Sequence, residues 1–273
     1  LRSRDLRTTV LAIAAAAGAA LGAPPAGAAV EIAPHRALYE IRLSGVSSGA
    51  QVTGVSGRMG FEWGDACDGW TVQQRFQLRF QYADGNAVEM VTSYATWEAK
   101  DGGAYRFNVR RMVNGETEEE VRGEADLRRD GSGGVVRYVR PEASEDALPP
   151  GTMFPSAHTI ALIETAKADG RFHASVVFDG SDTEGATELT TAIALGHPPR
   201  ARLSGPGGSL LVGTAWPMRL AFFPREPGGA EPEYEMGLSL LDNGVAESLE
   251  IDYGEFRVSG RLVDLEALPR PRC

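Results

Sequence analysis

Apolar and polar residues alternate with a period of two along most of this chain. In "TVQQRFQLRFQY", Val72, Phe76, Leu78, Phe80 and Tyr82 share one parity, and Gln73, Arg75, Gln77, Arg79 and Gln81 share the other. Successive side chains of a strand point to opposite faces, so this stretch predicts a half-buried strand with a polar outer face. "RALYEIRL" (Ala37, Tyr39, Ile41, Leu43) and "GRMGFEW" (Met59, Phe61, Trp63) alternate in the same way. Turn signals separate the runs: "ADGN" at 83–86, "KDGG" at 100–103, "VNGE" at 113–116, "RDGSGG" at 129–134 and "LDNGV" at 241–245. Strand patterns resume at "FHASVVFDG" and continue through "ELTTAIAL", "AWPMRLAFF", "PEYEMGLSLL", "VAESLEIDY" and "EFRVSGRLVDL", with loops at 197–208 and 224–232. The class is mainly β: an antiparallel sheet, sandwich or barrel.

Two segments test this reading. In "AYRFNVRRMVNGETEEEVRGEADLRR", Tyr105, Phe107, Val109 and Val113 share one face, and Val121, Ala125 and Leu127 share another. Bringing both sets to one side of a hairpin requires an odd connection around Asn114-Gly115, most simply three residues. Arg110 then faces Glu118 or Glu120, and the acidic run Glu118-Glu119-Glu120 is a solvated strand face with cross-strand ion pairs. "MFPSAHTIALIETAKADGR" breaks the period: Pro155, a Ser156 N-cap, Ile160, Leu162, Ile163, a late Lys167 and a Gly170 stop predict one helix. A lone helix in a large antiparallel sheet covers one open face or end of it.

The chain opens with Arg2, Arg4 and Arg7, an apolar run from Val10 to Leu21, and a small-residue "AGA" at 26–28. That layout predicts a secretory signal peptide over 1–28 and a single domain over 29–273. The run is shorter than the roughly 20 residues that span a bilayer. Formal net charge is −10, and removing the basic leader leaves the remainder more acidic, which argues against nucleic acid as a partner. Export makes thiols pair, and Cys67 and Cys273 permit one intramolecular connectivity. A free or intermolecular thiol is the alternative.

Catalytic motifs are sparse. "GVSSG" at 45–49 matches the nucleophile-elbow pattern with Ser47 at its centre, but strand patterns follow where that motif needs a helix, so a hydrolase is a distant alternative. The histidines His35, His158, His173 and His197 lack metal-ligand spacing. His35 shares parity with Ala37 and Tyr39 and is expected to face inward, and the pattern leaves His35 and His158 open between structural and site-lining roles. Asp179 and Asp182 in "FDGSD" lack the calcium-loop pattern, and "GPGGS" at 205–209 lacks the phosphate-loop lysine. No metal, cofactor or catalytic residue is expected.

Taken in order, "APHRALYEIRL", "GRMGFEW", "ACDGW", "FPSAHTIAL", "FDGSD", "NGV", "IDYGEF" and the final cysteine resemble the EipB-like cell-envelope integrity proteins of Gram-negative bacteria. The resemblance implies a periplasmic, fourteen-stranded β-spiral, an incompletely closed antiparallel barrel with short helices near its opening. It implies that Cys67 and Cys273 are the family's disulfide pair, and it suggests that tying the C-terminal strand to "DACDGW" clamps the gap of the spiral. It further implies a distant likeness to the half-barrels LolA, LolB and RseB, a functional link to a periplasmic tetratricopeptide-repeat protein, and no catalytic residues. The expected function is therefore non-enzymatic: a monomer that maintains envelope integrity by binding another periplasmic protein. The alternative is a carrier or sensor of an acyl chain or lipoprotein. A cavity lined by large apolar side chains and reaching solvent favours the alternative, and a filled interior favours the first.

Overall fold

The structure, a computed structural model, describes residues 30–223 and 231–273. The expected leader over 1–28 and most of the 224–232 loop lie outside the described residues. A meander runs through β1 (His35–Val46), β2 (Val52–Asp65), β3 (Gly69–Tyr82), β4 (Ala87–Ala99), β5 (Ala104–Val113), β6 (Glu116–Leu127), β7 (Gly134–Arg140) and β8 (Ser144–Leu148). The chain then forms β9 (Thr152–Met153), α1 (Pro155–Lys167), β10 (Phe172–Val177) and β11 (Thr187–Ile193). A 3-10 turn at Pro206–Leu210 precedes β12 (Ala215–Phe223), β13 (Tyr234–Leu241), β14 (Ala246–Asp252) and β15 (Phe256–Ala267).

The fifteen strands among the described residues form one sheet, in the order β8-β7-β6-β5-β4-β3-β2-β1-β15-β14-β13-β12-β11-β10-β9. The first and last long strands meet in its middle, with Ala37 opposite Leu265 and Ile41 opposite Gly260. Every pairing is antiparallel except β9 with β10, which are parallel and joined by α1. The sheet has two free edges, β8 and β9, so it curls without closing its hydrogen-bond ladder. Side chains bring the ends together: Phe154 and Phe178, which flank α1 and β10, are fully buried against Tyr105, Phe107 and Tyr138 of the opposite wing. Phe154 stacks on Tyr105 at 4.9 Å and Phe178 meets Phe107 edge-on at 5.4 Å. Gly180 makes this approach possible, because a Cβ there would lie 2.5 Å from the Phe107 ring. The "FDGSD" turn is thus a docking point between the wings. The resemblance implies fourteen strands, and the described residues form fifteen, one of them the two-residue β9. The period-two reading does not name β4, β7 or β8, and these complete the first wing.

Three local expectations are corrected. The β5–β6 hairpin has a two-residue turn, with Asn114 at φ 50° and Gly115 at φ 88°. The odd residue sits instead in a bulge: Arg111 pairs with Glu119 but Met112 with Thr117, so Glu118 is the extra residue. The parity argument survives, and Arg110 faces Glu120, because a bulge shifts register by one as a longer loop would. Ser156 is not the cap of α1. The N-cap is Phe154, which offers no side-chain oxygen, and the buried carboxylate of Glu98 on β4 accepts from the N–H groups of Ser156 and Ala157, each at 2.7 Å. Finally, Cys67 and Cys273 are joined, with Cα atoms 5.7 Å apart, but the bridge does not clamp the gap. It ties the tail after β15 to the β2–β3 turn, at the central β15–β1–β2 seam, while the gap lies between β8 and β9.

The helix covers the sheet from inside. Leu162, Ile163 and Ala166 pack with Trp63, Leu189, Trp216 and Leu220. A second cluster around Tyr39, Ile41, Leu262 and Leu265 is covered by Leu203, Leu210 and Leu211 of the loop before β12. No helix among the described residues is long and apolar enough to cross a membrane.

Candidate functional site

The interior is not filled. An eight-stranded barrel is just wide enough for its own side chains, and the diameter grows with strand number. Here α1 and the Phe154/Phe178 pair fill part of a much larger curl. What remains is a cavity of about 370 Å³ beside a second of about 200 Å³. The two share Gln74, Phe76, Met236, Leu249 and Ile251. The inward parity of each strand sets the walls: Phe76, Leu78 and Phe80 from β3, Met90 and Tyr94 from β4, Phe222 from β12, Tyr234 from β13. These residues are only partly buried because they border empty space instead of packed neighbours. Tyr253, at 46% exposure, lines the same space and marks where it reaches the surface. A mostly apolar cavity of this size, with polar groups such as Gln74, Thr92 and Asp179 set among the hydrophobic walls, is the ordinary form of a small-ligand site.

Asp179 supplies the charge in this wall. Its side chain faces the cavity and remains reachable by water, yet protein surrounds it on the other sides. Desolvation therefore pushes its carboxyl above the usual carboxylate range, against the opposing bond from Ser181 N–H at 2.9 Å. Burial, with a contribution from the Asp179 charge, raises the Tyr94 hydroxyl to about 12, and Tyr234 is shifted up for the same reasons. Asp182 is occupied in its own turn, accepting from Glu184 N–H at 2.7 Å. Among the described residues no cluster of three or more His, Cys, Asp or Glu side chains is arranged to hold a metal ion.

The other sequence candidates lie elsewhere. Ser47 is exposed in the β1–β2 turn, and its hydroxyl donates to the Gly254 carbonyl at 2.8 Å. A strand, not a helix, follows it, and His35 sits at the opposite end of β1. His35 faces inward as expected: it is fully buried, its Nδ1 lies 2.7 Å from the Ala33 carbonyl, and its ring packs on Phe61 at 5.5 Å. His158 lies buried on α1, 5.9 Å from the His173 ring. Neither His35 nor His158 borders the cavity. Asp179 was visible in the sequence only as a turn residue, and its cavity-facing position comes from the docking of "FDGSD" onto β5.

Burial, reinforced by the His173 charge, lowers His158 to about 4 from its ordinary 6.5. The unfolded imidazole gains its proton below pH 6.5, whereas the folded one resists protonation until about pH 4. The contribution to stability is therefore complete above pH 6.5 and is lost as the pH falls through that window, by at most about 3 kcal/mol. The melting temperature is expected to fall between pH 7 and pH 4.5 and to fall less steeply in His158→Gln. Equal slopes in differential scanning fluorimetry would contradict this.

Comparison with known proteins gives a consistent result. The EipB-like family model matches residues 26–269. The chain is 32% identical over 248 residues to the cell envelope integrity protein EipB of Brucella abortus (strain 2308), covering 90% of this chain and 88% of that protein. Its fold is similar to the crystal structure of a β-barrel-like protein of a domain of unknown function from Brucella abortus. That match has a TM-score of 0.82 and 29% identity, and covers 88% of this chain and 100% of that one.

Proposed function

The chain belongs to the EipB-like family, and from that premise we propose that it serves cell-envelope integrity in the periplasm, without catalysis, by holding an apolar chain inside the curled sheet. The observation that carries this reading is a pair of adjoining cavities that share Phe76, Met236 and Ile251 as walls, the larger also walled by Leu78 and bordered by the exposed Tyr253. Burying an alkyl chain there is worth about 0.8 kcal/mol per methylene. An acyl chain, free or carried by a lipid or lipoprotein, matches such walls.

The partner-binding reading favoured by the sequence finds less support in the sheet edges. Strand addition needs a long unpaired edge. The β8 edge is five residues long and carries Glu145 and Asp146, and β9 is two residues long. Short, charged edges are the usual protection against pairing. A periplasmic tetratricopeptide-repeat protein remains a partner for the outer surface in this proposal, receiving or sensing the loaded state.

The test is native mass spectrometry of the protein purified from its own envelope, beside Met236→Trp. That residue lines both parts of the cavity, and indole bulk there fills the space without adding charge. The wild type is expected to carry a stoichiometric lipid-sized adduct that leaves on denaturation, and the variant to lose it and to fail to restore envelope-stress resistance to a deletion strain. An empty wild type, together with full rescue by Met236→Trp, overturns the reading.

A further inference from the structure

We propose that the cavity selects an aliphatic chain bearing a cationic head of the quaternary ammonium type, and discriminates against carboxylates and other anionic heads. This rests on the apolar-chain reading above and specifies the chemistry of its ligand. Among the described residues lining the two adjoining spaces there is no Lys, Arg or His, and Asp179 is the one charged side chain. Among the described residues, no cation in the cavity lining would offset that carboxylate for an anionic head at the mouth. Arg111, whose charge reaches Tyr94, is already paired with Glu119 at 2.5 Å.

The mouth is also aromatic. Phe222 and Tyr234 stack at 4.2 Å, Tyr253 lies 6.3 Å beyond Tyr234, Phe256 lies 5.0 Å beyond Tyr253, and Phe80 stands 6.2 Å from Phe256. Aromatic faces carry the negative part of the ring quadrupole and attract ammonium groups, most strongly when desolvated. Asp179, Tyr94, Tyr234 and Tyr253 all line the larger cavity, so the carboxyl and the aromatic wall border the same volume. An alkyl chain would occupy the Phe76–Ile251 interior while the head rests between the rings and Asp179.

The experiment is isothermal titration of the purified chain at pH 8, below micelle concentration, with decyltrimethylammonium, decanoate and decyl maltoside. The ammonium compound is expected to bind at least about tenfold more tightly than decanoate. In Asp179→Asn, which keeps an oxygen for the Ser181 N–H, the gap is expected to shrink to about threefold or less while decyl maltoside binds as before. Decanoate binding as tightly as the ammonium compound overturns the charge selection and leaves the apolar-chain reading standing. Binding by none of the three sinks both, and an undiminished preference in Asp179→Asn overturns the assignment to this carboxylate.

Discussion

Cys273→Ser is expected to lower the melting temperature of the oxidised protein by roughly 10 °C, at most about 5 kcal/mol of stability. The bridge spans a sequence separation of 206 residues, and cross-linking so long a segment removes more unfolded-state entropy than any short loop could. Its position adds a second reason. β1 and β15 pair across nearly the whole chain, so their ladder carries the largest closure cost of any in the sheet. The tail beyond β15 has little else to hold it: Leu268 N–H donates to the Pro34 carbonyl at 2.9 Å, and Arg270 pairs with Glu31. On the other side, Cys67 sits in a firm turn, its N–H bonded to Asp65, which also binds Lys100 at 2.7 Å. Thermal melts of wild type, reduced wild type and Cys273→Ser decide the matter. The two thiol forms should melt together and below the oxidised protein, and coincidence of all three would refute the claim.

Glu98→Ala is expected to cost about 3 kcal/mol, with the melting temperature falling by roughly 6–12 °C. The substitution leaves the buried Ser156 N–H and the part-buried Ala157 N–H at the start of α1 without their acceptor, and a lost cap and orphaned donors are each worth about 1–3 kcal/mol. The damage should spread beyond the helix, because Phe154 next to it anchors the join between the wings. Glu98→Gln separates hydrogen bonding from charge. Burial raises the Glu98 carboxyl despite the two N–H bonds, so the folded state holds this proton more tightly than the unfolded one. The wild type therefore loses stability through this group as the pH rises above the ordinary glutamate value, and the Gln variant lacks that slope. Chemical denaturation of the three proteins at two pH values tests both parts. A Glu98→Ala variant as stable as wild type would mean that the helix terminus finds other acceptors.

How much of this was legible beforehand depends on the range of the interaction. Alternation named the inward residues of β1, β2 and β3, the turn signals bounded most strands, and the helix was found within a residue or two of its observed span. The Ser156 cap was misread because its replacement, Glu98, is far away in sequence. Its signal was nonetheless present: Glu98 has the inward parity of Tyr94 and Thr96 on β4, and a carboxylate on an inward face needs a partner. The three-residue turn was misplaced because parity fixes only that one extra residue exists, not whether a loop or a bulge contains it. Asp179 read as one more turn aspartate, since nothing local says which side of the sheet a turn will fold onto.

By itself the sequence determined the mainly β class, the one helix, the inward faces of β1, β2 and β3, the two cysteines available to pair and the family to which the chain belongs. These follow from side-chain parity, turn chemistry and residue identity, all of which act over a few neighbours or are read directly. Only the tertiary structure decided that the wings meet through Phe154 and Phe178, that the disulfide holds the central seam, and that the inward faces leave a cavity with Asp179 at its rim. Those outcomes depend on how far a long sheet curls before its ends touch, a quantity set by accumulated twist and by the bulk placed inside it, and no single segment of the chain carries it.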